Sequence, residues 1–217
     1  ATNSVGTVYG TQVSFTTSTV VNIPSVTIGT QIWSLKNLSV SNYKNGDPIP
    51  KVTDPTQWAN LTTGAWCWYN NDSATYASTY GRLYNWYAVN DPRGLAPHGW
   101  HVPTNSEWDV MAKYLDPTVD TTCYCSSGTS IASQLKTTTG WYSGYDGTNS
   151  SGFAGLPGGY RVNDGSFDYV GYDGIWWSAS EYVTTGAWSR DLYYNQSDLS
   201  RSVSKMTGGF SVRVVRD

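Results

Sequence analysis

The sequence predicts an α+β domain of short strands, two small helices and long ordered loops, preceded by an extended N-terminal β arm. Two compositional observations carry this. Aromatic residues make up 15% of the chain, with 11 Trp and 17 Tyr, whereas charged residues make up 13% and Glu107 and Glu181 are the only glutamates. A helical bundle needs abundant Ala, Leu, Glu and Lys, so this balance argues against one. Serine and threonine each occur 26 times, but the aromatic content excludes low-hydrophobicity disorder.

The 217 residues suit one large domain or one domain with an appendage. A net charge of −3, with Lys and Arg scattered, gives no basic face for nucleic acid. No stretch approaches the roughly 18 consecutive apolar residues of a membrane span. A start at Ala1 reads as a processed or trimmed chain in which any targeting signal is out of view.

The first 35 residues carry no charge. From Val5 to Ile32, Val and Thr recur with alternations such as Val13 and Phe15, or Val26 and Ile28, which reads as two or three strands. Asn22-Ile23-Pro24-Ser25 marks a break, dividing an arm (1–24) from the domain (25–217). An uncharged, strand-prone arm is an edge that pairs either with its own domain or with another subunit, so residues 1–35 are the expected route to a homo-oligomer.

From Lys36 to Ala77 the pattern is loop-like, with a turn at Asn45-Gly46-Asp47-Pro48 and an aromatic strand around Trp66 to Tyr69. Helix is predicted from Thr104 to Leu115: Thr104 and Glu107 form a capping box, and Trp108, Met111, Ala112 and Leu115 share one face. A shorter helix follows at Ser130 to Lys136, with Ile131 and Leu135 inward. Gly140 to Gly174 reads as a long, aromatic-bearing ordered loop. Strands return at Ile175 to Ser178, Ala187 to Tyr194 and Phe210 to Val215.

Three cysteines cannot all pair within one chain. Cys123 and Cys125 are one residue apart, a spacing that strains a mutual bridge, and Cys67 lies far off between Trp66 and Trp68. Buried or idle thiols are expected, with one bridge from Cys67 to Cys123 or Cys125 as the alternative.

Several motifs occur in a telling order: VTIGTQIWSLKNL (26–38), GRLYNWYAV (81–89), GLAPHGWHVPTNSEW (94–108), LKTTTGW (135–141), GTNSSGFAGLPGGYR (147–161), WWSASE (176–181) and GFSVRVVRD (209–217). Together they resemble the Fibrobacter succinogenes major paralogous domain over Val26 to Asp217. The resemblance implies a C-type-lectin-like fold, related to formylglycine-generating enzymes and to retroelement-diversified receptor-binding proteins. It also implies that Val26–Ile32 and Phe210–Val215 lie close together, with the long loops displayed opposite. Family members commonly carry one Cys in the stretch that reads Gly94-Leu95-Ala96-Pro97 here and another where this chain has Val214. Both are absent, as expected if they form a pair in relatives.

For catalysis, the sequence offers no Gly-x-Ser-x-Gly elbow. Cys123 and Cys125 lie in the wrong region for formylglycine chemistry. His98 and His101 could pair with Glu107 or Asp109, but His101 falls in the Gly-Trp-His-Val-Pro motif and Glu107 already caps a helix. No cofactor is expected; the oxygen-rich loop Asp146-Gly147-Thr148-Asn149 could hold a structural calcium ion.

Strand alternation puts at most one of Trp176 and Trp177 outward, as a sugar-stacking platform, and the resemblance implies that at least one is core. Around them, Tyr169, Tyr172, Asp173, Tyr182, Trp188, Asp191, Tyr193, Asn195, Ser197 and Asp198 compose a polar-aromatic candidate ligand-binding face. Tyrosine offers large contact area at low rotamer entropy, and the small polar residues adapt their hydrogen bonds. Arg190 and Arg201 match motif arginines and are read as structural. The expectation is a non-enzymatic extracellular recognition or adhesion module that binds a surface glycan or protein receptor through its C-terminal loop and strand face, from about Tyr160 to Lys205. Its setting is the cell surface or, alternatively, a virion. The second reading is a structural subunit of a filament or phage fibre assembled through the arm; the third is an enzyme.

Overall fold

The computed structural model describes residues 21–217. The expected arm up to residue 20 lies outside the described residues. At its end, the Val21 amide donates to the His98 carbonyl at 3.3 Å and the Val21 carbonyl accepts from Trp100 Nε1 at 2.9 Å. The chain is therefore already laid on the domain ahead of Ser25.

The first hairpin is β1 (Ser25–Ile28) and β2 (Gln31–Ser34). The middle of the chain holds α1 (Pro55–Ala59), β3 (Trp66–Cys67), α2 (Ser73–Tyr80), β4 (Leu83–Tyr84), α3 (Trp86–Val89) and β5 (Trp100–His101). Then come α4 (Asn105–Leu115), β6 (Ser126–Ser127) and α5 (Ile131–Leu135). The last third is mostly strand: β7 (Gly158–Arg161), β8 (Phe167–Val170), β9 (Asp173–Val183), β10 (Gly186–Tyr193), β11 (Leu199–Lys205) and β12 (Val215–Arg216). Among the described residues the sheets run β1-β2-β12-β5 and β6-β11-β10-β9-β7-β8, with β3 and β4 as a separate pair. This is an α+β architecture, as the composition predicted.

The two predicted helices are present. Thr104 accepts from the Glu107 amide while the Glu107 carboxylate accepts from the Thr104 amide at 2.7 Å, closing the capping box on α4. Trp108, Met111 and Ala112 are buried under α4, and Ile131 and Leu135 under α5. Three further short helices, α1 to α3, fall where the sequence reads as loop or motif. Each is started by an Asp or Asn side chain accepting backbone N–H groups: Asp54, Asp72 and Asn85. α1 and α3 are too short to show a helical period, and the longer α2 has no fully buried residue to mark an apolar face.

The loop expected over Gly140 to Gly174 contains the β7–β8 hairpin. Its turn is built at Asp164, whose carboxylate accepts from the Ser166 amide. Gly159 of β7 pairs in parallel with Gly174 of β9. Gly159 has φ +61°, and a Cβ there would meet the Asp168 carbonyl and the Tyr69 ring at under 3 Å, so only glycine allows this approach.

Trp176 and Trp177 do alternate across β9, but both are buried, at 1% and 0% exposure. Trp176 enters a core with Trp33, Trp108 and Phe153, and Trp177 enters another with Tyr84, Trp86 and Phe210. A covered sheet has no outward face at this point, so neither Trp serves as the stacking platform that alternation left open for one of them. Phe210 to Val215 behaves alike. Phe210, Val212 and Val214 belong to one core and Val215 to the other, while Val215 pairs with Trp33 and His101. The two ends of the domain therefore lie side by side, as the resemblance implied. Leu95, Ala96 and Val214, from the two places where the resemblance implies cysteines, belong to one core.

The cysteine expectation is corrected. Cys123 and Cys125 are bridged, with Cα atoms 5.3 Å apart, and Cys67 is a free thiol buried at 0% exposure. Between the two bridged residues, Tyr124 lies over Trp188, ring centroids 6.1 Å apart.

Three arginines are fully buried: Arg161, Arg190 and Arg213. Arg190 faces Asp109. Arg213 has no carboxylate among its partners; it donates to the carbonyls of Ser34, Phe153 and Ala154 and to Asn37 Oδ1. Replacing it by methionine removes the guanidinium donors from the buried carbonyls of Ser34, Phe153 and Ala154, while Asn37 Oδ1 keeps the Trp176 indole. Arg213→Met should therefore lower stability by about 3 kcal/mol or more, with Arg213→Lys intermediate. The urea midpoint measures this; a loss below about 1 kcal/mol would show that the acceptors find other donors.

Candidate ligand-binding face

The β9–β10–β11 register builds the site. Asp173 lies opposite Tyr193, Ile175 opposite Asp191, and Trp177 opposite Ser189; on the other side of β10, Asp191 lies opposite Ser200. Side chains two apart share a face, so Asp173, Asp191 and Tyr193 project together while Ile175 and Trp177 enter the core beside them. β7 and β8 add Tyr160 and Tyr169. The two rings are nearly parallel, with centroids 6.0 Å apart and an interplanar angle of 12°.

Two adjoining cavities result, and both are walled by Tyr160 and Tyr193. One, of about 350 Å³, is lined by Tyr160, Tyr169, Asp173, Tyr193 and Tyr194, with Asn195 and Gln196 at the turn. The other, of about 330 Å³, continues over Asp191 toward Asn163, Ser202, Ser204 and Lys205.

The carboxylates are unusual. Burial, reinforced by the nearby Asp191 charge and partly offset by Lys136, pushes Asp173 up to about 7. Asp173 is only 7% exposed, and no hydrogen bond to its carboxylate forms among the described residues. Asp191 is also raised by burial, but Ser189 donates to it at 2.8 Å and the Tyr193 hydroxyl at 3.3 Å. Burial and the Asp173 charge push the Tyr160 phenol up to about 12.

The turn after β10 is fixed from behind. Lys136 Nζ donates to the carbonyls of Tyr193, Tyr194 and Gln196 at 2.7, 2.8 and 3.1 Å, and lies 4.8 Å from the Trp141 ring centre. Burial lowers its pKa to about 8. Tyr169 adds a conformational feature: its φ is 63°, a left-handed backbone that is strained for a bulky side chain.

Five of the ten candidate residues therefore line the paired cavities: Tyr169, Asp173, Asp191, Tyr193 and Asn195. Asp173 and Asp191 line them as buried groups rather than displayed ones. Tyr172 instead packs behind the cavity wall, stacked on Tyr142 at 4.8 Å and edge-on to the wall residue Tyr194 at 5.2 Å. Ser197 lines a third cavity with Lys136 and Tyr145, and half-buried Asp198 raises the Lys136 pKa electrostatically. Tyr182 and Trp188 lie toward the other end of the β9–β10 pair. Trp188 is not a displayed platform: Tyr182, Tyr124 and the Arg201 guanidinium, 3.7 Å from its ring centre, cover it to 9% exposure. Tyr160, Tyr194 and Gln196 in one cavity, and Asn163, Ser202, Ser204 and Lys205 in the other, fall within the expected 160–205 face but were not among the ten residues singled out from sequence. The GGYR run of the motif at 158–161 was the available signal for Tyr160.

The other candidate chemistry is internally engaged. His101 Nε2 contacts Glu107 and Nδ1 contacts Asp217, both at 2.7 Å. Burial opposes its charge, but the two carboxylates outweigh this and the imidazole pKa is raised. His101 thus ties the C-terminal Asp217 to the start of α4. In the 146–149 loop, Asp146 accepts from the Trp141 amide and Asn149 from the Ala154 amide. Among the described residues no group of three or more His, Cys, Asp and Glu could hold a metal ion, and no helix is long and apolar enough to cross a membrane.

Fold and site together define an α+β domain that presents a concave tyrosine- and aspartate-lined face on a rigid sheet. Residues 26–216 match the family model described as the Fibrobacter succinogenes major domain; the chain belongs to that family. Comparisons with curated proteins and with solved structures gave no match.

Asp173 makes a signed pH prediction. Its folded pKa of about 7 exceeds the ordinary 3.8, so the folded state keeps a proton that the unfolded chain releases. The group's contribution is full below about pH 4 and is lost as pH rises through 7. Asp173→Asn should therefore gain on wild type between pH 5 and 8.5, by on the order of 2–4 kcal/mol at the upper end. Melting temperatures across that range measure the gap, and a constant gap would mean Asp173 titrates normally.

Proposed function

We propose that the chain is a non-enzymatic extracellular recognition or adhesion module with a C-type-lectin-like fold. It binds a surface ligand, a glycan or a protein receptor, through the face built by β7 to β11. The observation that carries this reading is the pair of cavities joined at Tyr160 and Tyr193, rigidly backed by the sheet and by Lys136. Concave sites with aromatic walls and a few convergent polar groups are the usual form of ligand pockets. The engagement of both His101 ring nitrogens by carboxylates supports the non-enzymatic side of the proposal. The cell surface is the proposed location, and a virion the alternative. A glycan and receptor array probed with wild type and a Tyr169→Ala, Tyr193→Ala double variant tests the face. Signal should fall at least about tenfold, as for loss of aromatic anchors; equal signals would sink the proposal.

A structural-subunit reading is favoured by one observation: β1 is an edge strand, paired only to β2 among the described residues. An unpaired edge is a template for another strand. If the uncharged residues 1–35 mediate assembly, removing 1–22 should convert an oligomer to a monomer in light scattering. A monomer with those residues intact would exclude this reading.

A further inference from the structure

We propose that the cavity ringed by Tyr160, Tyr169, Tyr193 and Tyr194 above the Asp173 carboxylate binds an alkylammonium group. This rests on the proposed ligand-binding face and assigns its ligand chemistry. Tyrosine rings come from β7, β8, β10 and the following turn onto one buried acid. Ring faces carry negative potential, and several around one point favour a cation over a neutral polar group. Asp173 supplies the formal countercharge. It is more than nine-tenths buried and lines the cavity, and no donor to its carboxylate exists among the described residues.

The chain's own cations do not fill the place. Lys136 lies behind the wall with its three donors on carbonyls, and Lys205 lines the neighbouring cavity. An anionic ligand would face both Asp173 and Asp191. A neutral sugar would use stacking and hydrogen bonds but leave the Asp173 charge unmatched. The cavity of about 350 Å³ is roomy enough for a trimethylammonium head and part of its chain, and the Asn195 and Gln196 side chains supply acceptors for a primary ammonium.

The electrostatics give a pH signature. Facing or coupled to Asp173 are Asp191 from β10, which raises its pKa, and Lys136 from the segment after α5, which lowers it. Asp198 acts on Lys136. The Tyr160 and Tyr193 phenols are pushed above their ordinary range and stay neutral. Deprotonation of Asp173 near pH 7 therefore switches on the countercharge, and ammonium binding tightens as pH rises.

Calorimetric titration of the full chain with choline, n-butylammonium and 3,3-dimethylbutan-1-ol, the uncharged shape-mimic of choline, tests this. At pH 8 at least one ammonium should bind at least about tenfold tighter than the alcohol. That binding should weaken about fivefold or more at pH 5.5 and be lost in Asp173→Asn. The choline and butylammonium arms distinguish a methylated from a primary head group. Tyr169→Gly is the second variant: it removes a wall while relieving the left-handed backbone, so binding should fall without loss of melting temperature. Equal binding of the alcohol, or ammonium binding unchanged in Asp173→Asn, overturns the proposal. If no ammonium binds while an array ligand is still captured by wild type and lost in the Tyr169→Ala, Tyr193→Ala variant, the cation assignment is wrong and the face stands. If capture survives that variant, the face itself is wrong.

Discussion

Buried carbonyls of an irregular chain need donors, and in this fold buried cations supply them. Arg213 is the central case. Its guanidinium lies over Phe153, 4.5 Å from the ring centre, and donates to carbonyls on both the first hairpin and the 153–154 loop. Its Nε donates to Asn37 Oδ1, which also accepts from Trp176 Nε1, while Asn37 Nδ2 reaches the Tyr80 carbonyl and Ser211 Oγ. One side-chain pair thereby joins β2, the end of α2, β9 and the C-terminal segment. Arg161 does the same for the carbonyls of Val52, Thr53 and Gly165, and Lys136 for the turn after β10. A planar guanidinium with five donors suits this role because several carbonyls can converge on it. The sparse charge of the chain is thus partly internal framework.

The same two-sidedness explains what could be read from sequence. The α4 capping box and its apolar face were legible because Thr104, Glu107, Trp108 and Met111 obey local rules that packing does not override. The strand segments around Trp176 and Phe210 were legible as strands. Their burial was not, because alternation states which side chains share a face, whereas burial depends on what the rest of the chain lays over each face. Helices α1 to α3 were illegible for a different reason. Their stability comes from an Asx cap and tertiary contacts such as Trp58 at 0% exposure; α1 and α3 are about one turn long and have no period to detect, and the two turns of α2 bury no residue that would mark an apolar face.

For the site, composition pointed to the correct region but not to its geometry. Asp173, Asp191 and Tyr193 converge because β9 and β10 pair in one register, which a residue list does not contain. Tyr182 belongs to the same strand as Asp173, yet an extended chain rises about 3.3 Å per residue, so the two sit at opposite ends of β9. Tyr160 bounded the sequence-derived face without being singled out as a contact, because β7 was read as loop, although its ring walls both cavities. The missing information was in each case which strands neighbour one another.

Abundant tyrosine alone does not single out a binding surface, as Tyr142, Tyr145, Tyr172 and Tyr194 show by packing on one another. The cavity over Asp173 differs because two local rules fail there together. The other fully buried charges named above are matched: Arg190 to Asp109, Arg213 to carbonyls, and Asp191 to Ser189 and Tyr193. Asp173 alone of this group lacks a hydrogen-bonding partner among the described residues, and the adjacent Tyr169 holds a left-handed backbone. One departure is electrostatic and the other conformational, so neither follows from the other. A chain shaped only for stability would replace Asp173 with a neutral residue and Tyr169 with glycine. Their coincidence on a single concave wall is the physical argument for function there, since local inconsistency in an otherwise consistent fold concentrates where a ligand completes it.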